Sequence, residues 1–159
     1  MSIIAESILS QFVRGLNMTS DAVEKVPNSK WNDGAEKWFF SLTAYHIVET
    51  LDFYSRNDHE GMIWGKRAGF SWEDKESIEK DILPKITKDL VLEYILETEE
   101  KLSDLLKNTS DQDLLEKDAF HWFSCILEKL QYALRHTAYH CGELALALRN
   151  WDSPHVSWK

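Results

Sequence analysis

Apolar residues recur at three- and four-residue steps in four long stretches of this 159-residue chain. Such steps place the apolar side chains on one face of an α-helix, and no stretch shows a convincing strand-type alternation. The predicted helices run from Ser2 to about Val26, from Ala35 to about Arg56, from Thr87 to about Lys107 and from Phe120 to about Asn150. Four amphipathic helices joined by non-helical connectors predict an all-α protein, a four-helix bundle in a single domain spanning residues 1–159.

The connector between the second and third predicted helices, residues 57–85, is long and irregular. It carries three glycines, a proline and three aromatic residues, and the part from Glu73 to Leu83 could form a short helix. Irregular segments of this length are uncommon inside compact domains and often cover a functional site. Two interpretations stay open: a hydrophobic plug over one end of the bundle, or a lid over a substrate.

The charge balance and the apolar runs exclude several classes of partner. The net charge is -9 and no block is rich in lysine or arginine, which argues against nucleic acid or an anionic membrane as the main partner. No stretch approaches the roughly 18 apolar residues of a membrane span, and the start does not have the pattern of a signal peptide. Cys125 and Cys141 would lie about 24 Å apart on one helix, too far for a disulfide. We therefore expect a cytoplasmic protein with reduced thiols.

Two histidines stand four residues apart in the last predicted helix, within the segment from Leu134 to Leu144. Four residues advance about 40° past one full helical turn and about 6 Å along the axis, so His136 and His140 project from the same face. They could share one metal ion if a third ligand came from another helix. Such a pair is also commonly incidental in helical proteins, so the spacing alone leaves both interpretations open.

His46 is the candidate third ligand. It lies in the second predicted helix on a line with Phe39, Leu42 and Phe53, a mostly apolar stripe that predicts an inward-facing side chain. A core histidine bonded to a neighbouring group would show the same pattern. Glu49, three residues further along this line, could accept a proton, orient a ligand or bond to solvent.

Polar residues form a stripe along the last predicted helix around the two histidines. Lys129, Tyr132 and Glu143 all lie within about 40° of His136 on a helical wheel. A metal held by the three histidines would satisfy three polar groups of a buried seam, and the other polar residues could bond to the ligands. A stripe that faces solvent is the competing interpretation.

Together these features resemble the DinB/YfiT-like superfamily of metal-dependent helical proteins. The similarity rests on the loop at Trp31, on His46 in the following helix and on the segment His-Thr-Ala-Tyr-His-Cys-Gly-Glu-Leu that contains His136 and His140. The resemblance covers nearly the whole chain. It implies an up-down-down-up four-helix bundle, often a homodimer, with a divalent metal held by these three histidines.

The resemblance also implies a function. Three neutral imidazoles leave an open position on a divalent ion for a water, whose pKa falls to about 7, or for a thiolate. The family suggests hydrolysis, or transfer of a low-molecular-weight thiol to an electrophilic small-molecule substrate. Zinc and nickel suit imidazole ligands best, and iron and manganese are further candidates. Glu143, where the family commonly has Gln, and Glu49 are the candidate proton acceptors, and either could instead bond to a ligand.

An alternative function is that of a non-catalytic helical bundle that binds an apolar small molecule or a protein partner, with or without a structural metal. Its motivation is the excess of aromatic residues, which includes seven tryptophans. Replacement of the two paired histidines would leave binding unchanged in that case. The two hypotheses therefore make opposite predictions for the same variants.

Overall fold

The computed structural model describes residues 1–35, 38–73 and 85–159. Their main elements are five α-helices and one two-stranded hairpin. The helices are α1 (Ile3–Lys25), α2 (Phe40–Tyr54), α3 (Lys88–Lys107), the short α4 (Asp111–Leu114) and α5 (Ile126–Asn150). The hairpin pairs β1 (Gly34–Ala35) with β2 (Trp38–Phe39) in antiparallel fashion. The prediction of an all-α fold is confirmed in that the described chain is mainly helical.

The four long helices share one hydrophobic core. α1 packs against α3 and α5, and α2 packs against the same two helices. Fully buried side chains come from each of them, among them Phe12, Leu51, Leu102 and Leu130. Burial of these apolar faces is the main favourable contribution to folding. Within the described residues, no helix combines the length and the apolar character needed to cross a membrane.

Side-chain caps mark the first turns of α1 and α3, the two helices whose bounds agree best with the prediction. The hydroxyl oxygen of Ser2 accepts a hydrogen bond from the N–H of Ala5, and that of Thr87 accepts one from the N–H of Leu90. Both residues occupy the position before the first helical turn, where such a side chain satisfies a free N–H group. The predicted first and third helices therefore agree with α1 and α3 to within one residue at each end.

The second predicted helix begins at Phe40, not at Ala35 as expected. The hairpin intervenes because Gly34 pairs with Phe39, and a Cβ on Gly34 would lie only 2.2 Å from the carbonyl oxygen of Trp38. Glycine is therefore required at this close approach of two backbones. The Phe40 N–H also donates to the carbonyl of Asp33, which closes the loop onto the start of α2.

The last helix also begins later than predicted, at Ile126 and not at Phe120. Phe120 is fully buried, with its ring 5.1 Å from that of Phe53 and 5.7 Å from that of Tyr54. Since this side chain packs into the α2 side of the core, the backbone around it forms turns. The N–H of Ile126 donates to the carbonyl of Glu116, which sets the direction in which α5 departs.

The described part of the long connector, residues 57–73, packs onto α2 and α3. Gly65 has the left-handed φ of 81°, and a Cβ there would lie 2.5 Å from the carbonyl oxygen of Phe70. Arg67 forms a bidentate ion pair with Glu97 of α3, with distances of 2.6 and 2.7 Å. The predicted short helix from Glu73 to Leu83 lies outside the described residues, apart from Glu73 itself.

Candidate metal centre

The structure brings the three predicted histidines together. His46 projects from α2, and His136 and His140 project from α5, which packs against α2. One ring nitrogen of each lies within 4.8 Å of those of the other two. The Nε2 atoms of His46 and His136 are 3.0 Å apart. Two imidazole nitrogens on one ion, each about 2.0–2.1 Å from it, lie about 3.0–3.4 Å apart. This group therefore has the size and the chemistry to hold a metal ion.

Burial keeps the imidazoles of His46 and His136 neutral at neutral pH. It lowers the pKa of His46 to about 3, and the neighbouring His136 and His140 add to the effect because a second positive charge there would be repelled. The same two causes, burial and then the charge of His140, lower the pKa of His136 to about 4. Neutral imidazole is the form that binds a metal, so neither ring has to lose a proton first at neutral pH.

The three rings differ in what their second nitrogen contacts. The Nδ1 of His140 lies 2.6 Å from Oε2 of Glu143. A carboxylate accepts a hydrogen bond, so this contact places the proton on Nδ1 and leaves the Nε2 lone pair free for a metal. The Nδ1 atoms of His46 and His136 are buried and have no hydrogen-bond partner among the described residues. Glu143 is thus the carboxylate that orients a ring of this group.

Two tryptophan rings pack beside the three histidines. The ring of Trp38, in β2, lies 5.5 Å from His46 and stacks 6.2 Å from His140. The ring of Trp72, in the connector, lies 5.3 Å from His46 and 5.9 Å from Trp38. Trp72 reaches the group from the connector, whereas Trp38 lies in the hairpin just before α2 and is distant in sequence only from His136 and His140. They restrict the approach of water from the hairpin side.

Glu49 is buried, only 1% exposed, and it binds the connector. Its carboxylate accepts hydrogen bonds from the N–H of Gly65 at 2.6 Å, from Nε1 of Trp72 at 2.7 Å and from the hydroxyl of Tyr45 at 2.9 Å. Burial raises the pKa of Glu49, although these three hydrogen bonds act in the opposite direction. In the described structure its contact with the metal-site group is indirect, through Trp72 and the ring of His46.

The polar stripe predicted on the last helix divides between two locations. The ring of Tyr132 stacks 6.4 Å from that of His136, near the metal-site group. Lys129, 1% exposed, does not join it: its Nζ donates to the carbonyl of Arg56 at 2.9 Å and pairs with the carboxylate of Asp118. Lys129 therefore neutralises the partly buried carboxylate of Asp118, in the turns that precede α5 and away from the histidines.

An open cavity of about 730 Å³ adjoins the metal-site group. Its wall includes Trp38 and Glu143, both of which contact His140. Phe40, Leu144 and Trp151 contribute apolar surface on other sides. Cavities of this size with an apolar lining and a few polar groups are typical of small-molecule sites.

Sequence reasoning did not place Trp38 or Trp72 at this site. The aromatic excess indicated that such rings would pack somewhere, but nothing in the local pattern ties a ring in a hairpin or an irregular connector to a distant histidine. Trp31, part of the resemblance, has a structural role instead: it is buried, and its Nε1 donates to the carbonyl of Ile86 at 2.6 Å.

The fold and the site together define a mainly helical protein with a partly buried group of three histidines that could hold a metal. No family model matches the chain, and no curated protein matches it in sequence. Any function proposed for this protein therefore depends on the geometry of the site itself.

Proposed function

We propose that this protein is a divalent-metal-dependent enzyme of the DinB/YfiT-like kind, acting as a hydrolase or as a low-molecular-weight thiol transferase. The observation that supports it best is the convergence of three imidazoles, two of them with strongly lowered pKa values, beside an open cavity. The cavity wall, in the described residues, holds none of the three histidines, but Trp38 and Glu143 of that wall both contact His140. Perturbed titratable groups beside a cavity are typical of active sites.

In this proposal His46, His136 and His140 hold the ion, with zinc or nickel preferred over iron or manganese because the donors are all imidazoles. When bound, the ion supplies a Lewis acid with an open position that suits a water or a thiolate. The adjoining cavity admits the substrate, and its apolar surface favours one with an apolar portion.

We assign different roles to the two glutamates. Glu143 is 46% exposed at its side chain and lines the cavity, so it can take up a proton there while it orients His140. Glu49 has its carboxylate engaged by three donors, so we assign it a positioning role in which it holds Trp72 against His46. Trp38 and Trp72 limit the access of water to the reacting groups.

The proposal also covers the order of the helices and the oligomeric state. We infer an up-down-down-up order of the four long helices and a homodimer, as in the superfamily that the chain resembles. Cys125 and Cys141 are both free, which fits a reducing compartment such as the cytoplasm. Sedimentation at micromolar concentration tests the homodimer, since a monomer would give the chain mass of 18.6 kDa.

Elemental analysis of protein purified without a histidine tag tests the metal. We expect about one zinc or nickel per chain after loading, and a loss of that metal in the His136→Ala/His140→Ala variant. His121→Ala is the matched control, because His121 contacts Trp122 and lies outside the three-histidine group. Less than about 0.2 metal per chain in the loaded protein would contradict the proposal.

A second measurement separates a catalytic from a structural metal. A catalytic ion with an open position is removed by a chelator while circular dichroism stays helical, and activity toward a thiol plus an electrophile, or toward a hydrolysable ester or amide, returns when metal is added. An ion that resists chelation, and whose removal unfolds the chain, would instead identify a structural site.

A further inference from the structure

A second cavity, of about 640 Å³, lies between α1 and α5. Ala138 and Gly142 of α5 line it, and each follows a metal-site histidine by two residues, which places it about 160° away around the helix. A Cβ built on Gly142 meets no atom within 4 Å, so the space above this residue is open. This α1–α5 groove therefore lies on the opposite side of α5 from the candidate metal centre.

Apolar side chains from three parts of the chain form the surface of the α1–α5 groove. Met18 of α1 and Leu134 of α5 line it, together with Val156 and Trp158 of the C-terminal segment. The C-terminal segment is held in place because the N–H of Ser157 donates to the carboxylate of Asp21 at 2.7 Å. Val156 and the largely exposed Trp158 thus lie along one edge of the groove.

Cations surround this apolar surface. Arg14, Arg135, Arg149 and Lys159 all line the groove, and no acidic residue does so among the described residues. In the part of the chain that the structure describes, none of the three arginines forms an ion pair. Arg135 packs over the ring of Tyr132, with its guanidinium carbon 5.3 Å from the ring centre. On a chain of net charge -9, the groove is a local concentration of positive charge.

We propose that the α1–α5 groove binds a single-chain amphiphile with an anionic head, such as a medium-chain carboxylate. Its hydrocarbon tail lies on the apolar surface formed by Met18, Leu134 and Val156, and its head pairs with Arg14 and Arg135. Arg14 and Arg135 lie at the same level of the groove, because the adjacent residues Gly15 and Thr137 face each other across α1 and α5. A guanidinium group matches a carboxylate bidentately, so these two side chains provide both attraction and orientation. The volume of the groove falls in the range of about 300–1,000 Å³ that small-molecule sites occupy.

Isothermal titration with dodecanoate, kept below its micelle concentration, tests this proposal. We expect saturable single-site binding that tightens roughly two- to fourfold for each methylene added between octanoate and dodecanoate. The Arg14→Gln/Arg135→Gln variant should bind at least about tenfold more weakly, since two charged hydrogen-bonding partners are lost. Lys107→Gln/Lys117→Gln is the control of equal charge change, because both lysines are exposed and lie outside the groove.

Two further variants locate the binding. Gly142→Leu fills the open space in the groove and should weaken dodecanoate binding, whereas Gly142→Ala, with the same backbone change and little added volume, should leave it nearly unchanged. Gly142 is exposed and helical, so both variants keep the fold. His136→Ala should bind dodecanoate as the parent does. This result would exclude binding of the carboxylate to a metal at the three histidines, and it would make the test independent of the proposed enzymatic function.

Three results would overturn the proposal. The first is no saturable binding of dodecanoate up to about 1 mM, the weak limit of a specific site. The second is equal affinity for dodecanoate and dodecyltrimethylammonium, because the arginines would then have no part in recognition. The third is a dimer in sedimentation that Gly142→Leu dissociates and dodecanoate does not affect, since the groove would then be occupied by a second copy of the chain.

Discussion

His140 and Glu143 are bonded across one turn of α5, with Nδ1 of the histidine 2.6 Å from Oε2 of the glutamate. A carboxylate in this position fixes the tautomer and the ring plane of the imidazole, and it makes the Nε2 lone pair a stronger donor to a metal. Because the two residues are three positions apart on one helix, the contact is preformed whenever α5 is folded.

Replacing Glu143 should weaken metal binding. We expect a 10- to 100-fold loss of affinity for Glu143→Ala, which removes the partner of His140, and a smaller loss for Glu143→Gln, which keeps an acceptor and removes only the charge. Competition with a chromophoric chelator measures the affinity. Glu100→Ala, an exposed position on α3, is the control. Equal affinity in Glu143→Ala and the parent would show that the hydrogen bond does not support the metal.

Replacing Glu49 should loosen the connector. In Glu49→Leu the N–H of Gly65, Nε1 of Trp72 and the hydroxyl of Tyr45 lose their acceptor. We expect a loss of about 3 kcal/mol in the free energy of unfolding, because buried donors without partners cost about 1–3 kcal/mol each. Urea unfolding measures it, and proteolysis should cut the connector faster.

A conservative pair of variants controls this prediction. Glu49→Gln keeps one acceptor oxygen and should lose less stability than Glu49→Leu, whereas the same change at the exposed Glu100 should lose almost none. If Glu49→Leu unfolds at the urea concentration of the parent, the three hydrogen bonds do not hold the connector in solution.

The metal-free protein should lose stability as the pH falls below about 6.5. The pKa values of His46 and His136 are lowered to about 3 and about 4 in the folded chain. Between these values and the unfolded value near 6.5, the unfolded chain binds more protons, so acid favours unfolding. We expect a loss of ~6 kcal/mol from this pair, ~3 kcal/mol from each ring, between about pH 7 and pH 4.

Urea unfolding over this pH range measures the effect in metal-free protein. The His46→Gln/His136→Gln variant should have a flatter pH dependence than the parent, because neither replacement titrates. His155→Gln changes an exposed histidine and should keep the slope of the parent. Parallel slopes in the parent and the double variant would rule out lowered pKa values for the two buried rings.

Lys129 should be needed for stability but not for metal binding. Lys129→Met leaves the carboxylate of Asp118 and the carbonyl of Arg56 without their cation, and breaking a buried pair in this way costs about 3–5 kcal/mol. Thermal unfolding measures the loss, and Lys107→Met is the exposed control. The Lys129→Met/Asp118→Leu variant should regain part of it because no lone charge stays buried. A lower metal content in folded Lys129→Met would contradict the conclusion that the pair of Lys129 and Asp118 is independent of the metal site.

Much of the helical content could be predicted from the sequence because it depends on neighbouring residues. Apolar spacing and the caps at Ser2 and Thr87 act within three or four residues, so α1 and α3 begin where the pattern indicates. The four-residue step of His136 and His140 is local in the same way. The inward direction of His46 follows from its apolar stripe, and the structure places its ring nitrogen beside theirs.

The remaining features depend on contacts between residues that are far apart in sequence. The late start of α5 follows from the burial of Phe120 against α2, and the late start of α2 from the close approach of Gly34 to Trp38. Glu49, a candidate proton acceptor in the sequence, binds the connector because the fold brings Gly65 and Trp72 to it.

The sequence by itself determined the helices and the set of histidines, because helical periodicity and i, i+4 neighbours are properties of a short stretch of chain. Only the tertiary structure decided that Lys129 pairs with Asp118 and that Trp38 and Trp72 pack against the histidines. The physical reason is that each buried polar or aromatic group selects its partner from those that packing brings within reach, and local spacing does not specify that choice.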